Sequence, residues 1–372
     1  MAENGIDIMV IGKTQEFCFL TGYDVCDEIC RMRTWGDWID CMIFSQDKGP
    51  VMVERDSDQP ASTAPDYPFE ERFVMTMDHE DPDATLKRAL DWFSPENKTI
   101  GIPKGAMAQT AISVIRCEPK ANVIGVPDYL IDEVRLVKEE DEIQLMRTAG
   151  AITSDILNDV AKAVKVGMTV HDVRAELSYQ IIRRGSFGFA FYPGVGCVNP
   201  DSDPKDRGNP NNILTPRSTL YFDYGIVYKG YHTDFGRTLF VAEPLDIALE
   251  PYRIITGIVQ EIVEKAGDGK MTPADMYHLG IQRAKETGYY EGYGYYKWSI
   301  GHSIGTDTHE WPWLRDPHSS AYKPIKEGMI FALEPKINHW GQFYLRTEDD
   351  ILIGKEKAEV LTPFTYDPVV VG

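Results

Sequence analysis

The sequence predicts two domains of different build. An α/β domain spans residues 1–134, and an α+β domain of two similar halves, with an internal pseudo-two-fold, spans 135–372. Three observations carry this. Apolar strand-like runs mix with helical stretches up to about residue 130. A long helical pattern then takes over. Finally, an 18-residue segment recurs 103 positions further on.

In the first domain the runs "DIMVIG", "CMIFSQ", "PVMVER" and "TIGIP" read as strands, and "DATLKRALDWF" reads as a helix. The turn-rich "DSDQPASTAPDYPFEE" between them reads as a surface loop. Beyond residue 134, Ile143, Met146, Ala149, Ile152, Ile156 and Val160 recur at three- and four-residue steps, the period of an amphipathic helix. The repeated segments are "MTVHDVRAELSYQIIRRG", Met168–Gly185, and "MTPADMYHLGIQRAKETG", Met271–Gly288. Each opens with Thr as a helix N-cap, carries Asp three positions on as a variant capping box, and stops at Gly.

Composition bounds the function. With 372 residues, 43% of them apolar, the chain can bury at least one sizeable core. The balance of 58 acidic against 38 basic residues, with no basic cluster larger than "CRMRTW", argues against nucleic acid and anionic membranes as partners. The N-terminal residues lack a signal pattern and no apolar run is long enough to span a bilayer, so a cytoplasmic protein is expected. The six cysteines form neither CxxC pairs nor a zinc pattern, and read as reduced thiols.

The chemistry is expected in two acidic hairpins. "YFDYGIVYKGYHTDFGRTLF" alternates like two strands around Lys229-Gly230, with Asp223 and Asp234 symmetric about a centre at 228.5 and so predicted to face each other. "GMIFALEPKINHWGQFYLRTEDDILI" repeats the plan, with Glu334 and Glu348 equidistant from Gly341. Facing carboxylates repel, and their burial is costly. Two divalent cations about 3.5–4 Å apart remove the cost. A histidine should complete the set, and "WSIGHSIGTDTHEWP" offers His302, flanked by glycines, with His309 seven residues on. Oxygen-rich ligands favour Mn²⁺, Fe²⁺ or Co²⁺ over Zn²⁺.

The elements "FDYGIVYKGYHTDFGRT", "GHSIGTDTHEWP", "GMIFALEP" and "LRTEDDILI", with the leading helix "RLVKEEDEIQLMRTAG", resemble the creatinase/aminopeptidase P/prolidase family. Its catalytic domain has the pita-bread fold. The resemblance covers about residues 135–365, and "FLTGYD" is similar to the family's smaller, creatinase-like N-terminal domain. It implies Asp223, Asp234, His302, Glu334 and Glu348 as metal ligands, Glu334 as the base acting on water, and His309 as a contact to substrate or oxyanion. Creatinase itself lacks the metal set, so the complete set here resembles the metal-using branch.

One departure stands out. Family peptidases carry a histidine in a loop ending about 17 residues before the first Asp ligand, whereas "CVNPDSDPKDRGNPNNILTPRST" has none. The matching position falls near Lys205 or Asp206. Either His318 or Lys205 substitutes in space, or the substrate is not an ordinary peptide. Tyr295, Tyr296, Trp298, Trp311 and Trp313 lie close in sequence to His302 and His309; they suit a cationic group, a proline ring or plain packing. Trp311 is a candidate substrate contact. In relatives, a loop comparable to "CRMRTWGDW" reaches the partner subunit's site, which makes Arg31, Arg33 and Trp35 further candidates and implies a homodimer. The expected function is hydrolysis of a C–N bond, in a Xaa-Pro dipeptide or a small amide, by a dinuclear metal centre. The alternative is a family member acting on a small zwitterion, as an ectoine- or creatine-like hydrolase or a dimethylsulfoniopropionate-type lyase.

Overall fold

The strand-like runs of the first hundred residues become a single sheet because each carries apolar residues on both faces. In the computed structural model β1 (Ile8–Gly12) is buried at every position, as a strand covered on both sides must be. Helix α1 (Gln15–Thr21) follows it, then β2 (Cys41–Ser45), β3 (Val51–Arg55), β4 (Phe73–Thr76), α2 (Pro82–Asp91), β5 (Thr99–Ile102), α3 (Ala108–Cys117) and β6 (Asn122–Gly125). The sheet order is β4-β3-β2-β1-β5-β6. An antiparallel meander from β1 to β3 joins parallel β1–β5 and β5–β6 pairs at β1. Helix α2 starts where Asp81 caps the Asp83 amide at 3.0 Å and Pro82 fills the first turn. Leu86, Ala89 and Leu90 on this helix then pack with Ile8, Val10 and Ile100.

The structure describes residues 1–372 except 13, 22–39, 56–72, 77–78, 128, 185–187, 201–202, 291–297, 317–322 and 340. The side chains of Cys18, Glu54, Arg55, Phe73, Met75, Thr76, Tyr129, Pro204 and Lys205 are also outside the description. The chain divides into two units, Met1–Val134 and Arg135–Gly372.

The second unit opens with α4 (Glu140–Ala163), which buries Ile143, Met146, Ala149, Ile156 and Val160 along one stripe. Ile152 is only half-buried. Gly150 lies on this stripe because a Cβ there would come within 2.1 Å of the Leu361 carbonyl oxygen. Helix α5 (Val170–Arg183) follows, and the strands of the first half are β7 (Gly188–Phe189), β8 (Gly194–Val198), β9 (Thr219–Tyr224), β10 (Ile226–Tyr228), β11 (Tyr231–His232) and β12 (Phe235–Val241). The second half repeats the plan with α6 (Asp246–Lys265) and α7 (Pro273–Glu286). Its strands are β13 (Gly301–Ser303), β14 (Glu310–Trp313), β15 (Ile330–Leu333), β16 (Lys336–His339), β17 (Phe343–Arg346), β18 (Asp349–Ile353) and β19 (Ala358–Val360). The final strand, β20 (Val370–Val371), returns to β12 of the first half.

The predicted echo is present at atomic level. Thr169 accepts from the Asp172 amide at 3.1 Å, and the Asp172 carboxylate accepts from the Thr169 amide at 2.8 Å. Thr272 and Asp275 repeat both bonds at 3.1 and 2.8 Å. Each half has a main core of its own, and Ile143 and Met146 of α4 pack instead with Ile304, Ile330 and Leu352 of the second half. One main core lies under α4 and α5 with Leu220, Phe222 and Leu239; the other lies under α6 and α7 with Phe331, Leu333 and Ile351. A mixed sheet, β20-β12-β9-β8, and an antiparallel one, β14-β13-β15-β18-β19, form the floor of the unit.

Candidate metal centre

The two sheets meet where one strand of each exchanges a pair of backbone bonds. The Glu348 amide donates to the Gly236 carbonyl at 2.8 Å, and the Gly236 amide donates to the Glu348 carbonyl at 3.3 Å. This junction brings the carboxylates of both halves together. In the second half the predicted register holds: Leu333 pairs with Asp349 and Lys336 with Arg346, so Glu334 and Glu348 face each other between two stretches of ladder.

In the first half the register differs from the expected one. Tyr228 pairs with Tyr231 and Tyr224 with Phe235, so Asp223 faces Gly236 and not Asp234. The register is the same on both sides of the change of sheet at Gly225 and is centred between Lys229 and Gly230, one residue beyond the point about which Asp223 and Asp234 are symmetric. Asp223 and Asp234 are therefore diagonal neighbours, still on one face because their separation along the ladder is even. The residue opposite Asp223 has to be small. A Cβ on Gly236 would come within 2.6 Å of Arg346 Nε and 3.0 Å of Glu348 Oε2.

Three overlapping groups have ligand atoms within 4.8 Å of one another: Asp223, Asp234 and Glu348; His302, Glu334 and Glu348; and Asp234, His302 and His309. His302 Nε2 lies 3.5 Å from Asp234 Oδ2. Its Nδ1 is 3.1 Å from the Ser303 carbonyl, so a proton donated there leaves the Nε2 lone pair facing the carboxylates. The Glu334 amide donates to the Ile300 carbonyl at 2.7 Å, which anchors that carboxylate beside the strand of His302.

The electrostatics ask for cations. Burial, then repulsion from Asp223, pushes Asp234 well above the usual carboxylate range. Burial, against the pull of Arg346 and with repulsion from Asp234, does the same to Glu348. Burial would also raise Glu334, but Lys336, Arg346 and His302 hold it down at about 2. Asp234 Oδ1 and Glu348 Oε1 are buried without a hydrogen-bond partner. Two carboxylate oxygens in that state, beside a histidine with a free lone pair, fit divalent-metal ligands.

Two basic residues that the sequence reading passed over reach the same carboxylates. Arg346 bonds Asp223, Glu334 at 3.0 Å and Glu348 through Nε at 2.8 Å. Lys336 bonds Glu334. Their positions carried a signal: each is two residues from a glutamate of the second hairpin, on the same face of the ribbon.

His309 keeps a solvent-facing edge, but its ring lies 4.5 Å from that of His302. Burial by the surrounding protein, then His302, lowers its pKa to about 4, so it is neutral at pH 7. The aromatic ring stacked on it is Trp313, at 5.4 Å and 15°, and not that of Trp311. A bulge between His302 and Ser303 sets Trp313 opposite His302; Trp311 sits half-buried on β14. Trp298 packs edge-on against Trp313 at 5.0 Å.

Other predicted residues cannot be placed. Arg31, Arg33, Trp35, Tyr295, Tyr296 and His318 lie outside the described residues, as does the side chain of Lys205. In the loop without histidine, Arg207 is the described cation that lies beside tyrosines next to the centre, while Arg217 pairs with Glu243. The Arg207 guanidinium lies 4.4 Å from the ring centre of Tyr344 and 5.7 Å from that of Tyr221. Those tyrosines stand two residues before Arg346 and Asp223 respectively.

With the geometry in place, comparison with known proteins is informative. Residues 144–355 match the pattern of metallopeptidase family M24, more than half of the chain. The chain belongs to metallopeptidase family M24. By that membership it is a metal-dependent hydrolase. It is similar in structure to a dipeptidase from Pyrococcus horikoshii OT3, with a TM-score of 0.86 at 22% identity over 100% of this chain and 97% of that one. A Xaa-Pro dipeptidase from Bacillus anthracis superimposes with a TM-score of 0.82 at 21% identity, covering 100% and 96%. These likenesses give the M24 member its pita-bread fold with a preceding α/β domain. In sequence it is 25% identical over 302 residues to the putative dipeptidase YkvY of Bacillus subtilis, covering 79% and 78% of the two chains. No described helix is long and apolar enough to cross a membrane.

Proposed function

We propose that this M24 protein hydrolyses a C–N bond in a dipeptide of Xaa-Pro type or a small amide, using two divalent ions held by Asp223, Asp234, His302, Glu334 and Glu348. The observation that carries the reading is the convergence of these five side chains with two buried carboxylate oxygens left without hydrogen donors. Mn²⁺, Fe²⁺ or Co²⁺ suits such a set better than Zn²⁺. Ions bound there would supply an acidified water and polarise the substrate carbonyl.

The residues of the chain do the rest. Glu334, ionised across the physiological range, accepts the proton of the attacking water. Neutral His309 donates a hydrogen bond to the oxygen on which negative charge develops. Trp313, stacked on His309, fixes the plane of that ring. In this reading residues 1–134 are the creatinase-like domain and 135–372 the catalytic domain. The working form is a cytoplasmic homodimer, with Arg31, Arg33 and Trp35 offered to the neighbouring site and Trp311 to the substrate.

Arg207 favours a second reading, in which the substrate is a small molecule with its own carboxylate, as in a zwitterion. A permanent cation then occupies the loop that bears a histidine in peptidases of the family. The test is turnover by the Mn²⁺- or Fe²⁺-loaded protein on Xaa-Pro dipeptides and on a panel of betaines, ectoine and sulfonium compounds, with Glu334→Ala as control. Dipeptide cleavage abolished by Glu334→Ala supports the first reading. Turnover of zwitterions alone supports the second, and an unsaturated product with no solvent oxygen incorporated would make the reaction an elimination.

A further inference from the structure

His302 and His309 are brought together by a reversal of the chain. His302 lies on β13, and β14 begins at Glu310, which pairs with Ser303, so residues 304–309 form the turn that delivers His309. A side chain carried on a turn is placed less precisely than one on a strand, unless the turn is itself braced. The brace here is a buried ion cluster that the proposed chemistry does not use. Glu310 Oε2 accepts from Lys138 Nζ at 2.8 Å, and Arg135 Nε lies 3.4 Å from Oε1. None of the three side chains is more than 4% exposed.

The cluster grips the turn at two points. Glu310 Oε1 accepts from the Asp307 amide at 3.2 Å, and Arg135 Nη1 donates to Thr306 Oγ1 at 3.2 Å. The turn closes so tightly over the cluster that a Cβ on Gly305 would come within 2.8 Å of both Glu310 Oε1 and Lys138 Cε. On its other side the His232 amide donates to the Gly305 carbonyl at 2.7 Å, and His232 Nδ1 lies 2.9 Å from Thr308 Oγ1. Burial would raise the pKa of Glu310, but Lys138 and Arg135 hold it below the usual value, so the brace is charged at neutral pH.

We infer that Glu310 is the positioning residue of His309: clamped by Lys138 and Arg135, it fixes the turn 304–309 and so holds the imidazole beside His302 with its free edge toward the substrate. The inference rests on the role given to His309 under the proposed function. Successive residues entering a strand point to opposite sides, which puts Glu310 in the interior and leaves His309 exposed. A single peptide link therefore joins the buried charge to the exposed ring. Trp313 sets the plane of that ring, and Glu310 sets its place. The clamp is anchored in turn, since the Lys138 amide donates to the Gly328 carbonyl at 2.9 Å. Neutralising Glu310 leaves Lys138 and Arg135 buried side by side without its charge, and the turn loses its hold.

The experiment pairs hydrogen–deuterium exchange of the full chain, metal-free and Mn²⁺-loaded, with kinetics on Xaa-Pro dipeptides, betaines, ectoine and sulfonium compounds. It compares wild type with Glu310→Gln, Lys138→Met, the charge-preserving Lys138→Arg, His309→Ala and the double variant Glu310→Gln/His309→Ala. Glu310→Gln and Lys138→Met should exchange faster at residues 304–309, and Lys138→Arg should not. Glu310→Gln should lower kcat about 10- to 100-fold with KM little changed. The double variant should be no slower than His309→Ala, because a brace matters only while the ring is there. Unchanged exchange at 304–309 in both neutralised variants overturns the inference. A double variant slower than His309→Ala by the full Glu310→Gln factor also overturns it, since Glu310 then acts by another route. Where Glu310→Gln does not fold, Lys138→Met alone and combined with His309→Ala gives the same comparison. Full activity of His309→Ala overturns the inference and leaves the metal-centre reading standing, whereas no turnover of any substrate by wild type overturns the proposed function and the inference with it.

Discussion

Glu348 and Asp349 are adjacent on one chain and fully buried, yet they live in opposite chemical states. Asp349 is closed: Oδ1 accepts from Arg237 at 2.7 Å and from Thr362 at 2.9 Å, and Oδ2 accepts from Arg237 at 2.9 Å and Tyr366 at 3.0 Å. Glu348 is open: Oε2 meets Arg346, while Oε1 meets no donor. Successive residues of a strand point to opposite faces. One face therefore carries a structural ion pair and the other a carboxylate with one oxygen that no donor meets. The difference teaches that burial alone does not mark function; an unmet oxygen grouped with other carboxylates and a histidine does.

Stability measurements should separate the two most sharply. Asp349→Ala leaves Arg237 buried and unpaired, and should lose about 3–5 kcal/mol in urea unfolding. Glu348→Ala, measured without metal, should be neutral or stabilising, because it removes a carboxylate that burial penalises. Equal losses from both variants would erase the contrast.

Next in size is the response to metal. At a free Mn²⁺ concentration a hundredfold above Kd, wild type should gain about 2.7 kcal/mol, read as a rise in Tm. Glu348→Gln should gain far less. An unchanged metal response in that variant would place the ion elsewhere.

The helix caps offer a smaller, symmetric comparison. Thr169→Ala and Thr272→Ala should each cost about 1 kcal/mol, since the two boxes make the same bonds at the same lengths. A large inequality would show that the two halves do not share one local design.

The smallest effect concerns pH. Glu261 is held at about 2, by its hydrogen bonds to Arg283 against the opposing effect of burial. Its folded pKa lies below the unfolded value, so its contribution is present above about pH 4.5 and is lost as pH falls toward 2. Glu261→Gln should cost about 0.5–1 kcal/mol at pH 7 and progressively less on acidification. The sign reverses at Glu348. Its raised pKa makes the metal-free protein lose stability as pH rises from the unfolded value toward the folded one, and Glu348→Gln should flatten that slope.

Much of the second unit was legible because its signals are local. The Thr-to-Asp spacing gave both caps, the three-and-four periodicity gave the buried stripe of α4, and the symmetry about Gly341 gave the Glu334–Glu348 pairing. The differences are matters of one or two residues in register. The first hairpin turns one residue later than the symmetry of Asp223 and Asp234 suggests, and the bulge after His302 sets Trp313 opposite that histidine. The partnership of Lys336 and Arg346 was hidden for a different reason: pairing rules disfavour two cations face to face, and the carboxylates of Glu334, Glu348 and Asp223 make it tolerable.

The junction at Gly236 and Glu348 also bears on how the protein is made. Asp223 and Asp234 leave the ribosome about a hundred residues before Glu334 and Glu348, and Arg346 comes with the later group. During synthesis the early carboxylates have neither their ligand partners nor their guanidinium. On the proposed reading of the centre, metal capture is a finishing step, taken by a chain whose two halves have already met. A cell short of metal would then accumulate folded, inactive protein awaiting its ions, a reserve that can be switched on without new synthesis.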